Sequence, residues 1–167
     1  MKKQKGFSLI ELLIVVAIIL IIAAIAIPNL LRSRMAANEA SAVGSVRTIN
    51  TAEVTYSTTY GTGFNTLLSL GGAAPCVAAP ANACLIDPIL SVAASKSGYN
   101  LAALPNTGAG TVAAPFVGYE VNATRVSAST GTRAFCSDQS GVIRYNLTGA
   151  AIGTGAGACT AVVTILQ

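Results

Sequence analysis

One carboxylate, Glu11, stands in an otherwise apolar run from Leu9 to Ile27. As a helix rising ~1.5 Å per residue, this run is ~28 Å long, nearly the thickness of a bilayer core. An unpartnered carboxylate in hydrocarbon is costly, so Glu11 requires a donor or a cation close by. The residues before it, Met1-Lys2-Lys3-Gln4-Lys5, are basic and free of acids, which holds them on the cytoplasmic side of a membrane. Three readings compete for this region. A secretory signal would be cut after Ala24-Ile25-Ala26, but the apolar run is long for one and Glu11 interrupts its start. A plain anchor explains the length and leaves the Glu unexplained. The third reading is a short leader, residues 1–6, cut before the apolar run between Gly6 and Phe7.

Gly6, Phe7, Ser8, Leu9, Ile10, Glu11, Leu12 and Leu13, with the apolar run on to Ala26, Ile27 and Pro28, closely resemble type IV prepilins, the subunits of bacterial pili. The resemblance covers roughly residues 5–60. It implies cleavage after Gly6 by a prepilin peptidase and N-methylation of the new Phe7 amine. It also implies that this cation lies beside Glu11 of a neighbouring subunit in a packed filament, with pairing to its own Glu11 as the alternative. Either pairing offsets the cost of burying both charges. Many relatives have a helix-weakening Gly where this chain has Leu20.

The remaining chemistry is sparse. There is no His, which excludes His-based triads and His-containing zinc sites. The chain has 10 Lys and Arg against 6 Asp and Glu, but three lysines lie in the leader. From Phe7 onward seven basic residues face six acidic ones, which gives no footprint for nucleic acid. Four cysteines beyond a membrane suggest two disulfides. Cys76 and Cys84 enclose a loop of suitable size for a local bond, and lack the acids or His that a metal would want. Pairing Cys136 with Cys159 would clip the tail onto the fold, similar to the C-terminal loop of many pilins, although four cysteines allow three connectivities. Calcium wants several carboxylates, and the last third offers only Glu120 and Asp138; Asp138 reads better as a hairpin turn. The triplets at Asn122 and Asn146 match a glycosylation pattern but fall in expected strands. No cofactor or metal is expected.

These residues must be positioned by a few elements. Pro28 lacks an N–H and should bend or loosen a helix there. Beyond it Met35, Ala42, Val46, Ile49, Tyr56 and Tyr60 recur at helical spacing, so one helix is expected from about Ser8 to Tyr60, stopped by Gly61-Thr62-Gly63. Glu39 and Glu53 read as solvated or i,i+4 helix charges, with inter-subunit contacts as the alternative. Asp87-Pro88 opens a short helix closing near Gly98. Strands are expected at 99–104, 116–126, 132–137 and 142–147, with an edge strand possible at 161–166. The fold class is α+β: a long N-terminal helix packed on a four-stranded antiparallel sheet. The regions are a leader (1–6), a membrane or filament-core half-helix (7–28), an amphipathic half (29–61), a connecting region (62–115), and the sheet with its clipped tail (116–167).

The reading is a non-enzymatic filament subunit whose partners are further copies, the peptidase and methyltransferase, an ATP-driven assembly machinery and the inner membrane. No nucleic-acid partner is expected. It would sit in the inner membrane as precursor and then on the cell surface. A secretion-system pseudopilin and a minor pilin acting as an adhesive or DNA-binding tip are the alternatives; an anchored enzyme is the weakest rival.

Overall fold

Glycine and apolar periodicity set the limits of the first element. In the computed structural model, which describes residues 7–72, 75–162 and 164–166, helix α1 runs Leu9–Tyr60. Gly61 stops it by adopting φ +68°, a left-handed conformation that costs other residues more, while its N–H still reaches the Ser57 carbonyl at 3.0 Å. The chain forms two compact units, Met1–Arg34 and Met35–Gln167. In the described part of the first unit nearly every side chain is exposed, including Leu9, Ile10, Leu12, Leu13 and the aliphatic residues as far as Leu31. Pro28 lies inside the helix.

The second unit is built on the face of α1 that carries Glu39, Ala42, Val46, Ile49, Glu53 and Tyr56, all buried and alternating at spacings of three and four. Each aliphatic side chain so buried contributes about 1.5–3 kcal/mol. Against this face stands an antiparallel sheet of five strands in sequence order: β1 Ser95–Lys96, β2 Tyr99–Asn106, β3 Gly118–Arg125, β4 Ala134–Asp138 and β5 Arg144–Asn146. Leu101, Ala103, Tyr119, Val121, Ala123 and Phe135 supply its core face. The α+β architecture is the expected one, and four strands lie where alternation places them.

The differences have local causes. The sheet has five strands rather than four, because Ser97 and Gly98 both take positive φ, at 51° and 74°. Two such residues make the tight turn that suits a two-residue hairpin, so Lys96 pairs with Tyr99 and Ser95 with Asn100. The sheet therefore begins at Ser95, one short strand ahead of the first one expected at 99–104. A single helical turn, α2 (Leu67–Leu70), buries Leu67 and Leu70. The helix capped by Asp87 follows as α3 (Pro88–Ser91). The Asp87 carboxylate accepts from the Ile89 N–H at 2.7 Å, and the helix ends at Ser91 instead of near Gly98. At the tail, Ile165 makes only an isolated bridge to Arg144 rather than an edge strand; residue 163 lies outside the described residues.

Candidate assembly site and its anchoring clips

Phe7 is the first described residue and is 83% exposed; Gly6 and the residues before it lie outside the described residues. Ser8 opens α1, and its backbone N–H donates to Glu11 Oε2 at 2.9 Å. This is one half of a capping box, in which a carboxylate three residues into the helix satisfies a donor that the first turn leaves free. Glu11 is thus held in the first turn of α1, with its side chain exposed. The signal was in the sequence as Ser-x-x-Glu, and it explains part of what the carboxylate does inside its own chain. On another face of the helix Leu9, Leu12, Leu13, Val16, Ala17 and Leu20 form a continuous apolar stripe. Among the described residues α1 is the one helix long and apolar enough to cross a membrane, judged by length and composition.

The two helix carboxylates expected to be solvated are buried, because each finds donors far along the chain. Glu39 Oε1 accepts from the Thr132 N–H at 2.8 Å, the Thr132 hydroxyl at 2.7 Å and the Arg133 N–H at 3.1 Å. Its Oε2 faces Arg133, with Nε at 2.8 Å and Nη2 at 2.7 Å. Burial pushes this carboxyl up, but the donors of Thr132 and Arg133 outweigh it and leave its pKa below the usual 4.5. The Arg133 guanidinium also lies over the Phe135 and Tyr145 rings, 5.5 and 5.1 Å from their centroids. Glu53 is less well served. It is fully buried, its Oε2 accepts from the Asn65 N–H at 3.0 Å, and its Oε1 has no partner. Burial raises its pKa to about 8, against the lowering effect of that one hydrogen bond.

The cysteines form two disulfides, Cys76–Cys84 and Cys136–Cys159. The first closes a loop whose Pro80 carbonyl accepts from the Tyr56 hydroxyl at 2.7 Å. The second joins β4 to the C-terminal segment, which lies on the sheet face turned away from α1. That face carries Glu120, Asn122, Cys136 and Asp138, with Glu120 opposite Asp138 and Asn122 opposite Cys136. Asn122 is buried, its amide donating to the Ile152 and Gly153 carbonyls, so it is closed to modification in the folded chain. Asp138 accepts from the Ser140 N–H at 2.8 Å and from its hydroxyl, and its carbonyl accepts from Gly141, forming the turn into β5. Among the described residues no group of three or more His, Cys, Asp or Glu could hold a metal ion.

The N-terminal geometry therefore combines a capped helix start, an exposed aromatic residue, one carboxylate and a membrane-length apolar surface. The profile of the prokaryotic N-terminal methylation motif matches residues 1–27. Over 39 residues, 23% of this chain and 30% of the relative, the chain is 64% identical to the Type IV wide pilus major component PilA4 of Thermus thermophilus. Over 54 residues, 32% of this chain and 24% of the relative, it is 43% identical to the Type IV major pilin protein PilA of Myxococcus xanthus. The chain matches less than a third of either relative's length. No solved structure matches it. The N-terminal segment carries the prokaryotic N-terminal methylation motif.

Proposed function

We propose that this chain is a structural subunit that polymerises through its N-terminal helix into an extracellular filament of the type IV pilus kind. The observation that carries this reading is the exposed apolar surface of α1 from Leu9 to Leu31, broken by the single carboxylate of Glu11, within a segment that matches the methylation motif. Such a surface is stable in a bilayer or against further copies of itself, and nowhere in water. Residues 1–6 are a leader removed after Gly6, and the Phe7 amine is methylated. Residues 7–28 dissolve the subunit in the inner membrane and later form the filament's apolar core. There the Phe7 amine of one subunit pairs with Glu11 of the next, setting register because each charge is costly without the other. Glu11 holds the Ser8 N–H through Oε2, which leaves Oε1, without a partner among the described residues, to accept that amine. Pro28 relaxes the helix, and the sheet with its clipped tail faces outward. The partners are further copies, the peptidase and methyltransferase, and an ATP-driven assembly machinery; no catalytic role belongs to this chain.

Mass spectrometry of filaments sheared from the producing cells tests the reading. The expected species begins at Phe7, carries one added methyl group and lacks the four thiol hydrogens. A chain beginning near Ile27, or intact at Met1 in the membrane fraction, overturns it.

A further inference from the structure

The C-terminal segment is held on the sheet by more than its disulfide. Glu120 on β3 is 1% exposed, and its two oxygens accept from backbone N–H groups on either side of Ala158: Gly157 to Oε1 at 2.9 Å and Cys159 to Oε2 at 3.0 Å. Two residues along the same face, Asn122 donates to the carbonyls of Ile152 and Gly153 at 2.8 and 2.9 Å. Asn122 is also the register partner of Cys136, and Cys136 is bonded to Cys159. The residue that grips the Cys159 backbone and the residue that lies opposite Cys136 are thus two positions apart on one strand.

We propose that Glu120 and Asn122 are positioning residues for oxidative folding: they seat the C-terminal segment on the sheet without help from the disulfide, and so present Cys159 to Cys136. A carboxylate needs donors when buried, and Glu120 obtains them from the tail backbone, so docking satisfies both partners at once. The bond then locks an arrangement already formed. In closing, two cysteine thiols give up two protons and two electrons to an external disulfide such as glutathione disulfide. The S–S bond forms through a mixed disulfide, and two glutathione thiols leave.

The test uses the full chain in detergent with Cys76→Ser and Cys84→Ser, which leaves a single pair. The effective concentration of Cys159 at Cys136 is read from equilibration with reduced and oxidised glutathione. E120A is expected to lower it about tenfold, as loss of hydrogen bonds to a charged group implies. N122A should lower it in the same direction, and both differences should vanish in denaturing urea. E39Q, which alters a different buried carboxylate, should leave it near the parent value. No change in E120A, an equal drop in E39Q, or a difference that persists in urea overturns the proposal. A second measurement does not depend on the Glu120 variant folding. In the chain with Cys136→Ser and Cys159→Ser, the backbone amides at positions 157 and 159 should remain protected from hydrogen exchange, and unprotected amides there equally overturn it.

Discussion

Arg133 reaches Glu39 with Nη2 2.7 Å from Oε2, joining the middle of α1 to the start of β4 across 94 positions of chain. Its neighbour Thr132 adds two donors to the other oxygen, so one carboxylate collects both the loop backbone and a cation. The result is a fastener between helix and sheet that pattern alone does not reveal.

Removing the cation should cost less than removing the carboxylate. Arg133 is about a third exposed on its side chain, which screens the pair, whereas Glu39 is buried. R133A is expected to lose about 1–2 kcal/mol of unfolding stability, and E39A about 2–4 kcal/mol because the donors of Thr132 and Arg133 are then left unmet. Urea unfolding of the full chain in detergent reads both. The depressed pKa of Glu39 fixes the sign of the pH dependence. Its stabilisation is present above the ordinary carboxylate pKa and is lost as pH falls through the folded value.

Glu53 should behave in the opposite way. Its folded pKa of about 8 lies above the unfolded 4.5, so the folded chain keeps a proton that the unfolded chain releases. Between those values stability falls as pH rises, and it is level outside them. E53Q keeps the shape and removes the titration. It should match the parent below about pH 4.5 and exceed it by about 2–4 kcal/mol at pH 8. A constant difference across pH would contradict the buried, half-satisfied carboxyl.

The two disulfides should contribute unequally. Cys136–Cys159 spans 23 positions and Cys76–Cys84 spans 8. Chain entropy assigns them about 3.4 and about 2.5 kcal/mol. Paired Ser variants, compared by thermal unfolding, should therefore show the larger loss for the C-terminal bond.

For the assembly reading, Glu11→Gln is the direct probe. It keeps an acceptor for the Ser8 N–H and removes the charge. The variant should still be processed at Gly6 and retained in the membrane, and it should be missing from sheared filaments. Normal incorporation would mean that the Glu11 charge sets no register.

Much of this was legible. The apolar run, the helical recurrence of Val46, Ile49 and Tyr56 and the Gly61 stop delimit α1, and alternation at Tyr119, Val121 and Ala123 marks β3. What escaped depends on partners distant in sequence. Glu39 and Glu53 fill the two slots that the apolar stripe of α1 leaves open, so the stripe itself pointed inward at both positions. Charge argued for solvent, and only Thr132, Arg133 and Asn65 reverse that argument. β1 is two residues long and exists through its turn rather than its own propensity, whereas the Ser8–Glu11 cap was a readable local signal. The split between a helix-facing and a tail-facing side of β3 follows from alternation, but that polar Glu120 and Asn122 would be covered does not.

The tail's attachments share one property. Glu120 holds N–H groups of Gly157 and Cys159, Asn122 holds two carbonyls, Arg125 holds the Thr148 carbonyl and Arg144 holds that of Val162. Every one of these grips reads main chain; only Cys159, through its disulfide, and Gly157, whose φ of +82° favours glycine, are tied to their identity. Ala150, Ala151, Gly155, Ala156, Thr160 and Ala161 are exposed between them. The outer surface can therefore change its chemical character residue by residue while the scaffold beneath is untouched, which makes this segment the natural place for sequence drift and for grafted peptides.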